Sequence, residues 1–162
     1  MIALFAAAAF ASPSDCESIS DTDARNFCRA RARGEASYCE SISATDPRNH
    51  CRAVVKQESS YCESIGDTDL RNRCRAEAKA DNSSACESIS DADERNFCRA
   101  VAKKETSYCE SISDADDRNH CRAIVRGERS YCESISDTDL RNTCRAQASN
   151  PVPAGGLRPS SK

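Results

Sequence analysis

The chain has 162 residues, 30% of them charged and only 5% aromatic, with no tryptophan and a net charge of −3. So few large apolar side chains exclude a conventional core for a chain of this length, and the slight acidic balance leaves no excess of basic charge for holding nucleic acid. What compensates is a count of 12 cysteines.

The first stretch, "MIALFAAAAFASPS", is apolar and contains Ala9-Phe10-Ala11, the small-x-small pattern of a signal-peptidase site. Residues 1–11 are read as a signal peptide cleaved before Ser12, although no Lys or Arg lies near Met1. The run is too short to span a bilayer. Cys16 follows "SPSD" rather than a lipobox, so no lipid anchor is expected. An even cysteine count in an exported chain implies an oxidised framework.

Residues 12–149 are a repeat array. Modules begin at Cys16, Cys39, Cys62, Cys86, Cys109 and Cys132, a period of 23 residues with one insertion, and the consensus is C-E-S-I-S-D-x-D-x-R-N-x-C-R-A. The residue before the second cysteine runs Phe27, His50, Arg73, then Phe97, His120, Thr143, and Leu70 matches Leu140. Modules one to three thus correspond to modules four to six at an offset of 70 residues, the mark of a duplicated three-module block.

Two helices are expected in each module. The first is entered through Ser-x-x-Glu (Ser14 with Glu17, Ser37 with Glu40, and equivalents), which has the form of a capping box. The second is located by Pro47, best tolerated at the first helical position, which makes Asp46 its N-cap. The equivalent caps are Asp23, Asp69, Asp93, Asp116 and Asp139. Gly34 and Gly127 act as stop signals in two copies. Neither helix is long enough to be stable alone.

Two neighbour pairings of the cysteines are open, across the gap of eleven residues or across the other gap. The first gap is invariant, whereas the other lengthens at "RAEAKADNSSA"; the first also uses every cysteine, whereas the second strands Cys16 and Cys144. These points favour Cys16–Cys28, Cys39–Cys51, Cys62–Cys74, Cys86–Cys98, Cys109–Cys121 and Cys132–Cys144. Each such ring contributes roughly 3 kcal/mol by the chain-entropy account, which replaces part of the missing core. The remaining core is Ile19, Ile42, Ile65, Ile89, Ile112 and Ile135 with the Ala that follows each Arg, and Tyr38, Tyr61, Tyr108 and Tyr131 mark the module junctions. Ala85 replaces the Tyr beside the insertion, so that junction should be the loosest.

Several motifs invite a chemical role. "DTD" and "DAD" suggest a calcium loop, but Ala44 breaks the pattern in module two and no bidentate Glu closes it. No C-x2-C pair exists, and His50 and His120 lie 70 residues apart, so a metal site is not expected. Paired arginines such as Arg25 and Arg29 form a basic stripe per module, which a ladder of ion pairs between stacked modules would absorb. No nucleophile elbow, phosphate loop or Cys-His pair with a free thiol occurs.

The reading is therefore all-α: a disulfide-stapled solenoid of six short αα-hairpin repeats, with a Pro/Gly/Ser-rich tail at 150–162 expected to be disordered. It is expected to be secreted or periplasmic, non-enzymatic and without cofactors, a structural or protein-binding scaffold. Its partner is another protein or a second copy packed head to tail, with no role for nucleic acid or, after cleavage, for a membrane. Phe27, His50, Arg73, Phe97, His120 and Thr143 are the expected binding surface. Two alternatives are a self-assembling extracellular filament, since neither end carries a capping module, and a thiol-based copper or zinc binder.

Overall fold

A computed structural model describes residues 13–78 and 83–148; the expected signal peptide and tail lie outside these residues. Seven α-helices are described: α1 (Pro13–Glu17), α2 (Thr22–Arg33), α3 (Thr45–Lys56), α4 (Thr68–Ala78), α5 (Ala92–Lys103), α6 (Ala115–Arg126) and α7 (Thr138–Ala148). The longer six, α2 to α7, supply one helix to each module. The short partner is α1 in module one and a six-residue 3-10 turn in each of the others: Ala36–Ser41, Ser59–Ser64, Ser83–Ser88, Thr106–Ser111 and Arg129–Ser134.

Each hairpin is closed by one disulfide across the eleven-residue gap, from Cys16–Cys28 through Cys132–Cys144, with a Cα–Cα distance of 5.6 Å in all six. A parallel clamp lies one residue further along both strands of the hairpin. Glu17, Glu40, Glu63, Glu87, Glu110 and Glu133 each accept two hydrogen bonds from Arg29, Arg52, Arg75, Arg99, Arg122 and Arg145, with Nε to Oε1 at 2.8–2.9 Å. This corrects two expectations. The Glu of Ser-x-x-Glu does not close a capping box: the caps of four of the 3-10 turns are Glu35, Glu58, Glu105 and Glu128, none with a side-chain cap bond. The ion pairs made by the second Arg of each stripe also lie inside modules rather than between them, because a twelve-residue separation brings the pair together wherever the cysteines meet. The first Arg of each stripe has another task, donating to the carbonyl of the module's Ile, as Arg25 does to Ile19 at 2.9 Å and Arg95 to Ile89 at 2.6 Å.

The N-caps also differ from expectation. Asp23, Asp46, Asp69, Asp93, Asp116 and Asp139 lie at the second helical position, and the caps fall two residues earlier. Asp21, Asp91 and Asp114 have extended backbones and accept from Ala24, Glu94 and Asp117; Asp67 and Asp137 accept from Leu70 and Leu140 at 2.8 and 2.7 Å. In module two the cap is Ala44, with no side-chain bond, and the position that would donate to it is Pro47, which has no N–H. Acceptor and donor are missing together. Pro47 fits the third helical position because the first-turn N–H groups have no partner within the helix.

The six displaced Asp residues instead join modules. Asp23 accepts the amides of Ser43 and Ala44, Asp46 those of Gly66 and Asp67, Asp69 those of Ser90 and Asp91, Asp93 that of Ser113, and Asp116 those of Ser136 and Asp137. Beside them, Asn26, Asn49, Asn72 and Asn96 donate to the carbonyls of Ser41, Ser64, Ser88 and Ser111 in the next module. A buried Ala seals each junction: Ala30 packs with Cys39, Ile42 and Cys51, Ala53 with Cys62, Ile65 and Cys74, and Ala123 with Cys132, Ile135 and Cys144.

The same three devices operate between the last module and the first. Asp139 accepts the amides of Ser20 and Asp21 at 2.9 and 3.3 Å, Asn142 donates to Ser18 at 3.0 Å, and Ala146 packs with Cys16, Ile19 and Cys28. Arg129 adds an ion pair to Asp15 at 2.9 Å. The solenoid therefore closes into a ring, with its sixth module seated on its first. The slimmest contact between neighbouring long helices falls at α4–α5, beside the insertion, followed by α2–α7.

Helix ends follow ordinary backbone chemistry. Gly34 and Gly127 end α2 and α6 in the left-handed region at φ 68°, and Gln57 and Lys104 adopt φ 57° at the ends of α3 and α5. Only the glycines do so without steric cost.

Candidate functional site

Repetition decides which residues are left for function. Every residue of the consensus is used by a disulfide, a clamp, a cap, a junction or the core. The positions that vary, with their neighbours one helical turn on, meet in the middle of the ring.

Phe27, His50, Arg73, Phe97, His120 and Thr143 face inward on the long helices. His50, Arg73, Phe97 and His120 are 0–5% exposed, and Phe27 and Thr143 are half-buried. Four of the six residues of the expected binding surface, His50, Arg73, Phe97 and His120, are therefore buried rather than exposed, because the face that varies between modules is the one the ring turns toward its own centre. Phe27 packs against His50 and Phe97 against His120 with their rings tilted, each pair with centroids 5.2 Å apart. One turn further, His50 Nε2 meets Glu77 Oε2 at 2.8 Å, and His120 Nε2 meets Gln147 Oε1 at 2.8 Å. The two halves of the duplication therefore build the same trio, Phe-His-Glu in one and Phe-His-Gln in the other.

The halves differ in charge. Glu77 is attracted to His50, Arg73 and Arg31, residues contributed by three successive modules to one point. Burial pushes the Glu77 carboxyl up, but these three neighbours outweigh it and hold it below its ordinary value. Burial pulls the Arg31 guanidinium down, and Glu77 opposes that. Arg31 also lies 5.8 Å from the centroid of the Phe27 ring, and Arg73 pairs with Glu94 at 3.4 Å. In the other half the matching positions hold Val101, Thr143 and Gln147, all uncharged.

Satisfaction is incomplete in the charged half. Arg31 Nε and Nη1 are enclosed without an acceptor, and Glu77 Oε1 is enclosed without a donor. Leaving such groups unmet costs about 1–3 kcal/mol each, more when charged. Arg31 and Glu77 do not stand out in the sequence until the halves are overlaid at the 70-residue offset, where Arg31 falls on Val101 and Glu77 on Gln147.

Outside the hub, the four junction tyrosines pair with cations from the preceding module. Arg33, Lys56, Lys103 and Arg126 donate to the hydroxyls of Tyr38, Tyr61, Tyr108 and Tyr131 at 2.6–3.1 Å and lie 4.9–5.5 Å from the ring centroids. All cysteines of the described residues are in disulfides, and a disulfide sulfur offers no thiolate to a soft metal. Among the described residues no group of three or more His, Cys, Asp or Glu is placed to hold a metal ion, and no helix is long and apolar enough to cross a membrane.

The chain matches no protein-family model, no curated protein and no solved structure.

Proposed function

We propose that this protein is an exported, non-enzymatic scaffold: a disulfide-locked ring that works by binding, in the periplasm or outside the cell. The observation that carries the proposal is the use of all consensus residues in building and closing the ring, which leaves recognition to exposed, module-specific positions. Six intramolecular disulfides fit an oxidising compartment. A rigid ring also presents its outer faces to a partner with little conformational entropy left to lose on binding. Closure favours a discrete binder over a filament grown from chain ends, because the surfaces such growth would use are already paired.

The export half of the proposal is tested by the intact mass of the protein from its native host, taken without reductant and with a thiol-blocking reagent present. The proposal expects a species starting at Ser12, unlabelled, and lighter than the reduced chain by one hydrogen per cysteine. A labelled chain, or one that retains metal, would put the thiol store first. The binding half is tested by immobilising the oxidised ring and its reduced, alkylated counterpart and exposing both to the host's exported proteins. One defined partner retained by the oxidised ring alone supports the proposal; equal retention on both, or none, overturns it.

A further inference from the structure

The two halves of the duplication meet at two seams, from module three to module four and from module six to module one. Both seams are made by the same residues at the 70-residue offset. Asp69 accepts the amides of Ser90 and Asp91 at 2.9 and 3.3 Å, and Asp139 accepts those of Ser20 and Asp21 at the same two distances. Asn72 donates to the Ser88 carbonyl and Asn142 to that of Ser18, each at 3.0 Å. Ala76 shares a cluster with Cys86, Ile89 and Cys98, as Ala146 does with Cys16, Ile19 and Cys28. The surface that ends module three therefore matches the surface that ends module six, and the two surfaces that receive them match as well.

These seams are also where the ring parts most easily. The slimmest contacts between neighbouring long helices are α4–α5 and α2–α7, one at each seam. The cation–tyrosine pairs that join the other four junctions are missing from both, because Ala85 and Asp15 stand in the places of Tyr. All six disulfides lie within modules, so each half keeps its staples when the seams part. The chain passes from one half to the other once, through the link between Cys74 and Cys86 that is lengthened by the insertion.

We infer that the partner these seams fit is a second copy of this chain: two chains exchange halves, so that modules one to three of each close with modules four to six of the other. Each exchanged ring remakes the seam bonds of the parent, including the ion pairs Arg73–Glu94 at one seam and Arg129–Asp15 at the other. Reciprocal exchange leaves no seam open, so it ends at a dimer, and its cost is confined to the transient opening. The inference is independent of the scaffold proposal, since exchange of halves needs no other protein.

The test uses an equimolar mixture of isotope-labelled and unlabelled full chains, oxidised, concentrated and warmed to just below the thermal midpoint, then separated by size-exclusion chromatography with light scattering. The expected product is a dimer whose isotope-filtered nuclear Overhauser spectra show cross-peaks between chains from Ala146 to Ile19 and from Ala76 to Ile89. The cross-peak from Ala53 to Ile65, inside one half, stays within a chain. Asp139→Ala loosens one seam and should speed dimer formation about tenfold, the factor carried by a bond to a charged group. Asp46→Ala, whose bonds lie inside one half, should leave that rate unchanged. The inference is overturned by a chain that stays monomeric, by a dimer without seam cross-peaks between chains, or by D46A speeding dimer formation as much as D139A does.

Discussion

Replacing Asp139 with Ala removes the carboxylate that binds the first module to the last. Asp139 accepts from Ser20 at 2.9 Å and from Asp21 at 3.3 Å, so one good charge-assisted bond and one long one are lost. Bonds to a charged group contribute about 1.5–3 kcal/mol, and partial exposure of this pair puts the expected loss at the low end, about 1.5–2 kcal/mol. The internal reference is Asp46→Ala, which removes the matching bonds to Gly66 and Asp67 at 3.0–3.1 Å. In a closed ring the two substitutions cost nearly the same, and each lowers the thermal midpoint by roughly 4–8 °C for a domain of this size. In an open array, Asp139 would face solvent and its loss would be silent. Guanidinium denaturation of the oxidised protein, followed by circular dichroism, reads both variants directly. A destabilised D46A beside an unchanged D139A would refute the closure argument.

Further outcomes follow from the same geometry. Gln57→Gly and Lys104→Gly relieve left-handed backbone and should each raise stability by about 0.5–1 kcal/mol, whereas Gly127→Ala should lower it by about 1 kcal/mol, as read from denaturation midpoints. Replacing Cys39 and Cys51 together with Ser should cost about 3 kcal/mol by the chain-entropy account, while the other five disulfides remain in the non-reduced mass. Ala100→Leu should be among the most damaging single changes, because Ala100 is fully buried in the cluster that includes Cys109, Ile112 and Cys121; overpacking of this kind costs about 1–3 kcal/mol. The clamps set the acid limit. Hydrogen bonds from Arg29 to Glu17, and from the equivalent Arg in each other module, hold the six Glu carboxyls below the ordinary 4.5. Their folded-state values are depressed, so their contribution is complete above the ordinary range and is lost as pH falls through the lowered values. Stability measured against pH should decline below 4.5, and salt should reduce the part that these half-exposed pairs contribute.

Much of the fold was legible because it is local. The eleven-residue cysteine gap, the single insertion, Gly34 and Gly127 each act within one hairpin, and a sequence displays such constraints directly. Closure is different in kind: Asp139 and Asn142 carry the same letters as Asp46 and Asn49, and whether the sixth set finds a first module depends on the accumulated rotation of six junctions. The N-caps were displaced by two residues because D-x-D offers two acidic positions and Pro47 fits anywhere in the first turn. Phe27, His50, Arg73 and their counterparts vary between modules, which suggests exposure, but in a ring the inward face is also free to vary since it meets different neighbours at each step. Arg31 and Glu77 were hidden because their importance lies in a difference between halves rather than in a motif.

The most direct test of the account is nuclear Overhauser spectroscopy on the oxidised, labelled protein, directed at the junction between its two terminal modules. The ring predicts cross-peaks from the Asn142 side-chain amide to Ser18 and Ile19, and from the Ala146 methyl to the cluster of Cys16, Ile19 and Cys28. Their absence, with the equivalent peaks from Asn49 to Ser64 and Ile65 present, would mean that the six modules form an open array and would contradict the closed ring.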